Sequence, residues 1–168
     1  MSTPSVILRP LTTEDAIITW HWRNQADVKA YYSDHPFTVN YEQELEWYSK
    51  NIIPSDKLHV FGVEADGQLV GLTMLKHIHP IHRHTEFAII IDEKEYGKGF
   101  GTKACNLTVA YAFDKLNLNR VYLKVRTDHP SAVKMYTSCG FEIEGTLRDD
   151  VFKNNRFYDQ YIMSILHK

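Results

Sequence analysis

Glu86-Phe-Ala-Ile-Ile-Ile-Asp-Glu-Lys-Glu-Tyr-Gly-Lys-Gly-Phe-Gly-Thr-Lys-Ala104 is the stretch on which the fold turns: an apolar strand, a short turn, then Gly97, Gly99 and Gly101 opening a helix near Phe100. Glycines at this spacing let the backbone adopt positive φ and come close to a ligand, so that its amides point at oxygens. The unpaired N–H groups at the start of the helix add partial positive charge, which suits a pyrophosphate. The pattern is common enough that a plain Gly-rich turn is the alternative. A P-loop requires Lys followed by Ser or Thr after its last glycine, and here the order is Thr102-Lys103. A dinucleotide fold requires GxGxxG spacing and an acidic residue about 20 positions on. Neither fits.

Outward from this stretch, Arg120-Val-Tyr-Leu-Lys-Val-Arg126 reads as the next strand. A short helix from Ser131 to Ser138, within Ser131-Ala-Val-Lys-Met-Tyr136 and Cys139-Gly-Phe141, stops at Gly140. Upstream, Val6 to Pro10 reads as a first strand, and Thr12-Thr-Glu-Asp15 caps a helix from Ala16 to Asn24. Trp20 and Trp22 cannot share one face of that helix. Either one packs inward while the other meets a ligand or partner, or both are partly in the core. A second short helix spans Gln25 to Tyr32, ahead of Pro36, and a third spans Tyr41 to Asn51 with Asn40 as its cap. Glu42, Glu44 and Glu46 on this third helix read as a solvated face, and Leu45 and Tyr48 as its buried side.

Leu58 to Glu64 and Gln68 to Leu75 form a hairpin about Ala65-Asp66-Gly67. Strand alternation pairs His77 with His79 and His82 with His84; without a carboxylate or thiol at ligand spacing, no metal site is expected. Phe87 to Ile91 is apolar on both faces, as a central covered strand should be. Glu86 is the exception, a carboxylate opening a buried strand. It is either salt-bridged to Arg83 or Lys124, or used. The helix from Gly101 to Lys115 directs Ala104, Leu107, Ala110, Tyr111 and Phe113 to the sheet. The chain closes with two strands around Asn154-Asn155.

The 168 residues suit one domain, 1–168, with one core. A net charge of −2, with 43% apolar and 24% charged residues, gives no electrostatic footprint for nucleic acid or anionic membrane. No signal segment or membrane span is evident, so a cytoplasmic protein is expected. Cys105 and Cys139 lack CxxC spacing and read as buried, reduced thiols.

Taken together, strand, Gly-rich helix opening, strand and the Ser131–Tyr136/Cys139–Phe141 segment resemble the GNAT superfamily of acetyl-CoA-dependent N-acetyltransferases over nearly the whole chain. Within it, the similarity is to the branch holding the ribosomal-protein N-terminal acetyltransferases and the bacterial spermidine/spermine N-acetyltransferases. The resemblance implies an α/β (α+β) fold: a mixed central sheet of about six to seven strands, helices on both faces, and a splay between the two central parallel strands. It implies acetyl transfer from acetyl-CoA to a small primary amine such as spermidine or spermine, in a homo-oligomer. Protein N-termini are the alternative acceptor, and a non-catalytic acyl-CoA sensor is the alternative of another class.

Residue by residue, the resemblance makes Tyr136 the general acid for the departing thiolate, with a merely packed tyrosine as the other reading. It makes Glu86 the base, because a free alkylamine with pKa about 10 is protonated at neutral pH. Ile89, Ile90 and Ile91 would offer amides to the thioester carbonyl. Gly97, Lys98, Gly99, Phe100, Gly101 and Thr102 would cradle the pyrophosphate, with Lys98 and Lys103 free to add charge. Tyr96 stands where the family has Arg or Gln, so it is a neighbour of the cradle. His129 replaces the usual Asn on the pantetheine arm; Ser131 and Lys134 would reach the adenosine phosphates. Asp34 and Glu42 become candidates for a cationic acceptor, although His35 and Thr38 stand where the polyamine enzymes carry acids.

Overall fold

The computed structural model describes residues 4–32 and 37–168. Its centre is one seven-stranded sheet in the order β1-β2-β3-β4-β5-β7-β6. The strands are β1 (Val6–Arg9), β2 (Leu58–Ala65), β3 (Gln68–His79), β4 (His84–Ile91), β5 (Arg120–Arg126), β6 (Glu142–Lys153) and β7 (Arg156–Leu166). Every neighbouring pair is antiparallel except β4 and β5.

The helices are α1 (Ala16–Arg23), α2 (Ala26–Tyr31), α3 (Tyr41–Asn51), α4 (Phe100–Asp114) and α5 (Pro130–Ser138). Strand alternation explains the layers. Phe87 and Ile89 of β4 pack with Phe100, Ala104 and Cys105 of α4 and with Tyr136 of α5. Ile90 turns the other way, against Trp22 of α1 and Val28 of α2. A strand covered on both faces needs apolar side chains at every position past Glu86, and this one has them.

The β4–β5 contact is short. His84, Thr85 and Glu86 pair with Arg120, Val121 and Tyr122, and there the ladder stops. Beyond it β4 stays on β3 as far as Ile91, while β5 stays on β7 as far as Arg126. The facing edges part as the resemblance implied.

Local chemistry sets the element ends. Asn40 and Gln43 cap α3 reciprocally, each side-chain oxygen accepting from the other's backbone N–H at 2.8 and 2.9 Å. Asn154 and Asn155 carry positive φ, 51° and 63°, and close the β6–β7 hairpin in two residues. Trp22 is core and Trp20 donates its indole N–H to the Val39 carbonyl at 2.6 Å, which settles their division.

Two readings of helix faces need correction. Leu107 and Ala110 point to solvent, and the buried stripe of α4 is Phe100, Ala104, Cys105, Thr108, Val109 and Ala112. The polar Thr108 is acceptable in that stripe because its hydroxyl meets Thr73 and the Ala104 carbonyl. Glu44 is also not on a solvated face. It is fully buried, ion-paired to Arg23, and it accepts from the Thr19 hydroxyl at 2.6 Å. Charge spacing alone misplaced it, because Arg23 lies on another helix.

Glu44→Ala should lower stability by about 2–3 kcal/mol, less than for a fully buried pair because Arg23 keeps some contact with water. Urea denaturation at neutral pH measures it, and a loss below about 0.5 kcal/mol would contradict a structural role for the pair.

Candidate active site

At the end of β4 the chain makes one 3-10 turn, Glu93–Glu95, capped by Asp92 accepting from the Lys94 N–H, and then enters the glycines. Gly97 and Gly99 have φ of 77° and 80°, and Gly99 is the N-cap of α4. A Cβ built at either position meets no protein atom within 4 Å, so the protein's own packing does not require glycine there. Backbone conformation requires it, and so would a ligand lying against these amides. The N–H of Lys103 bonds to the Gly99 carbonyl at 3.2 Å, so the amides of Phe100, Gly101 and Thr102 open the helix without an intrahelical partner. These groups fit a pyrophosphate.

The two cradle lysines are not free as expected. Lys98 holds Glu95 at 2.7 Å, and Lys103 donates to the Pro4 carbonyl at 3.0 Å. Tyr96 is half exposed beside the cradle, its phenol pushed up to about 12 by burial and then by nearby acids such as Asp27. Thr102 turns its carbonyl toward the Cys139 thiol at 3.8 Å. Cys105 and Cys139 are both free and share a contact across α4 and α5; their hydrogen bond raises Cys105 and lowers Cys139.

His129 lies at the start of α5 with its ring 4.0 Å from that of Tyr31, and its Nδ1 meets the Ser131 hydroxyl at 3.2 Å. Burial lowers its pKa against the opposing pull of Asp27 and Asp128, which favours the neutral imidazole. Ser131 and Lys134 are exposed on the same helix.

Where β4 and β5 part, a cavity of about 580 Å³ opens. Glu86, Ala88 and Ile90 line it from β4, Lys76 from β3, Lys124 from β5 and Tyr136 from α5. Ile89 lines it too, while Ile91 is not in its lining; it ends the strand, its side chain against Gly71 of β3 and within reach of Gly101. The structure thus brings Glu86 and Tyr136 to one cavity although they belong to opposite sides of the sheet.

The carboxylate of Glu86 pairs with Lys76 at 3.2 Å and His77 at 3.6 Å, not with Arg83 or Lys124. Lys76 lies directly across the β3–β4 ladder, and the positive φ of His77, 51°, turns that residue toward the same group. This also breaks the expected grouping of histidines: His79, His82 and His84 cluster, with His79 4.4 and 5.2 Å from the other two rings. Among the described residues no group of three side chains is arranged to hold a metal ion.

Tyr136 is 3% exposed and packs edge-on against Phe87 and Phe141. Burial raises its pKa well above the usual value, which keeps the phenol protonated and able to donate. Tyr32, a residue at the end of α2 that carried no sequence signal, lines the same cavity. Of the acidic acceptor candidates, Glu42 is exposed on the first turn of α3 and does not line the cavity. Asp34 lies outside the described residues. Asp150 of β6, overlooked in the sequence, does line the cavity, and pairs with Lys124 at 3.3 Å. It sits in a bulge of β6 that strand periodicity does not show.

Residues 5–142 match the family model of the acetyltransferase (GNAT) domain. The chain belongs to the GNAT acetyltransferase family. It is 36% identical over 164 residues to the spermidine N(1)-acetyltransferase of Escherichia coli K12, covering 98% of this chain and 87% of that one. A crystal structure of the spermidine N-acetyltransferase from Vibrio cholerae, in complex with CoA and spermine, superposes with a TM-score of 0.88 at 35% identity. That match covers 96% of this chain and 95% of the other. The putative ribosomal N-acetyltransferase YdaF of Bacillus subtilis is 30% identical over 139 residues, 79% of this chain and 76% of that one. The cradle at Gly97–Thr102 and the parting of β4 and β5 both lie within the matched residues 5–142.

The cradle can be tested directly. Gly99→Ala should weaken CoA binding about tenfold or more if the cradle holds the pyrophosphate, since a Cβ at φ 80° strains the backbone and would occupy the open space beside these amides. Gly67→Ala, in the β2–β3 turn at φ 81°, shares the strain without the ligand and should leave affinity unchanged. Isothermal titration with CoA reads both, and equal affinities would remove the cradle from coenzyme binding.

Proposed function

We propose that the chain transfers the acetyl group of acetyl-CoA to a primary amine of a polyamine such as spermidine or spermine. The observation that carries this reading is Glu86 at the mouth of the splay, in one cavity with buried Tyr136, in a chain similar over nearly its full length to spermidine N-acetyltransferases.

In this reading, cradle amides 97–102 hold the pyrophosphate, and the unpaired edge of β4 at Ile89, Ile90 and Ile91 offers N–H groups to the thioester carbonyl. Acetyl-CoA supplies the activated acyl group. Glu86 takes the proton of the acceptor ammonium, directly or through water, and Tyr136 returns one to the departing sulfur. Ser131 and Lys134 lie on the adenosine side, and His129 offers one ring nitrogen to the pantetheine arm. A polyamine's ammonium reaches Glu86 by replacing that of Lys76, and a second can do the same at Asp150. Glu42, exposed on the first turn of α3, would serve only outside the cavity, at the acceptor approach. We place the enzyme in the cytoplasm, consistent with its free thiols, and read it as a homo-oligomer, supported by exposed Ile143, Phe152 and Phe157 on the edge pair β6–β7.

Transfer to a protein N-terminus is the second reading. It is favoured by the cavity's cations, since among the described residues Arg23, Lys76 and Lys124 line it beside the acids Glu86 and Asp150. A thiol-release assay with acetyl-CoA against spermidine, spermine, putrescine and short Ser- or Ala-initiated peptides separates the two. Saturable release with polyamines alone is expected, and release with peptides alone would overturn it. Glu86→Gln should move the pH optimum upward, toward values where the amine is already free. An unmoved profile would leave Glu86 as the partner of Lys76 only.

A further inference from the structure

Successive residues of a strand point to opposite faces of the sheet, yet Lys76 and His77 of β3 both meet the one carboxylate of Glu86. Lys76 does so as the ladder dictates, directly across from Glu86, with its ammonium 3.2 Å from Oε1. His77 does so by leaving the ladder. Its φ of 51° lies in the left-handed region, the β3–β4 register breaks between Lys76 and His79, and the ring Nε2 comes to 3.6 Å from Oε2. The departure is fixed on both sides. The buried Thr85 hydroxyl donates to the Lys76 carbonyl at 2.7 Å, and the Ile78 N–H donates to the Lys57 carbonyl at 3.2 Å. A left-handed residue other than glycine costs backbone energy, and side-chain packing does not return it here, since the His77 side chain is 73% exposed.

The two oxygens of Glu86 therefore have different neighbours. Oε1 faces the ammonium that an incoming acceptor replaces, and Oε2 faces an imidazole open to water. The other charged groups around them are Lys124 of β5, Asp150 and Lys153 of β6 and Arg23 of α1, with Tyr122 across the ladder from Glu86. Side chains of these types ordinarily titrate outside about pH 5–8, and among the described residues lining the cavity His77 is the one imidazole. A carboxylate is a poor last holder for the proton of an alkylammonium. The ordinary values are about 10 for the amine, about 4.3 for the carboxyl and about 6.5 for imidazole, so a transfer that ends on the ring is less unfavourable by about 10²-fold.

We propose that His77 is a positioning residue for Glu86 and the final acceptor of the proton that Glu86 takes from the substrate. This rests on the role of Glu86 given above. The ammonium N–H bond breaks as an O–H bond forms at Oε1. A half turn of the carboxyl group presents that O–H to Nε2, where it breaks as an N–H bond forms, and the imidazolium then loses its proton to water. Glu86 is a carboxylate again for the next acceptor, and no further reactant enters. The spacing of 3.6 Å is that of an ion pair rather than a hydrogen bond, and it closes when the carboxyl group has a proton to donate.

The pH dependence of kcat, measured with acetyl-CoA and spermidine or whichever amine gives fastest thiol release, tests this on His77 and Glu86 variants. His77→Asn keeps a residue at home in the left-handed region and removes the base. The native enzyme should show an inflection where imidazoles titrate, with kcat falling toward acid. His77→Asn should lack that inflection and turn over about tenfold more slowly at neutral pH, with acceptor KM and CoA affinity unchanged within about twofold. His77→Gly should regain turnover when free imidazole is added, because the vacated place is open to water. Adding His77→Asn to Glu86→Gln should cost nothing more, since no proton is left to pass on. An inflection that survives in His77→Asn, a raised acceptor KM at unchanged kcat, a His77→Gly variant that imidazole does not restore, or losses that multiply in the double variant would overturn the inference and leave Glu86 as the base. Full turnover with an unmoved profile in Glu86→Gln would remove that role and His77's with it.

Discussion

Two parallel strands that pair for three residues and then separate impose most of what surrounds them. Past Glu86 and Tyr122, the facing edges of β4 and β5 carry amides and carbonyls with no neighbouring strand. Such an opening in a sheet centre stays folded only if other elements hold its banks. Here β3 and β7 hold the outer edges, α4 and α5 cover one face, and α1 and α2 cover the other. The same parting connects the two faces. A carboxylate on one side and a phenol on the other can then act on a group lying in the gap, which no continuous sheet would permit.

Charge in this region is matched internally rather than left open. Glu86 has Lys76 and His77, Asp150 has Lys124, Glu44 has Arg23, and Asp128 has Arg126. The deepest of these, Glu44, sits among α1 and α3 and supports the wall instead of facing the cavity contents. Its burial is tolerable because Arg23, Thr19 and the nearby Tyr48 hydroxyl surround it. The guanidinium of Arg126 does a different job, lying 3.5 Å from the Tyr158 ring centre and joining β5 to β7 and α2 at once.

The central strand, the cradle and α5 were legible in the sequence because each has a local cause: an unbroken apolar run, glycines where φ must be positive, and a glycine stop. The α3 cap at Asn40 was legible for the same reason, while the answering bond from Gln43, three residues on, was supplied by the structure. What escaped depends on contacts distant in sequence. Glu44 looks like its neighbours Glu42 and Glu46 until Arg23 is placed beside it. The partner of Glu86 depends on how the β3–β4 turn is cut, and the irregular register after Lys76 hides it. Tyr32 and Asp150 gave no signal, one at the end of a six-residue helix and the other in a bulge that breaks strand alternation. The face of α4 was misjudged by a single step of the helix, enough to exchange Leu107 for Thr108.

The pairing of Lys76 with Glu86 bears on selectivity. An incoming ammonium that displaces the lysine exchanges one cation for another, so the charge beside the carboxylate is the same before and after. Coulomb attraction to Glu86 therefore nearly cancels in the difference between bound and free states. What distinguishes one amine from the next is then the length of its chain against the cavity and the hydration each ammonium gives up. On these terms the site measures shape, and should bind its acceptor with less sensitivity to ionic strength than a bare carboxylate pocket would.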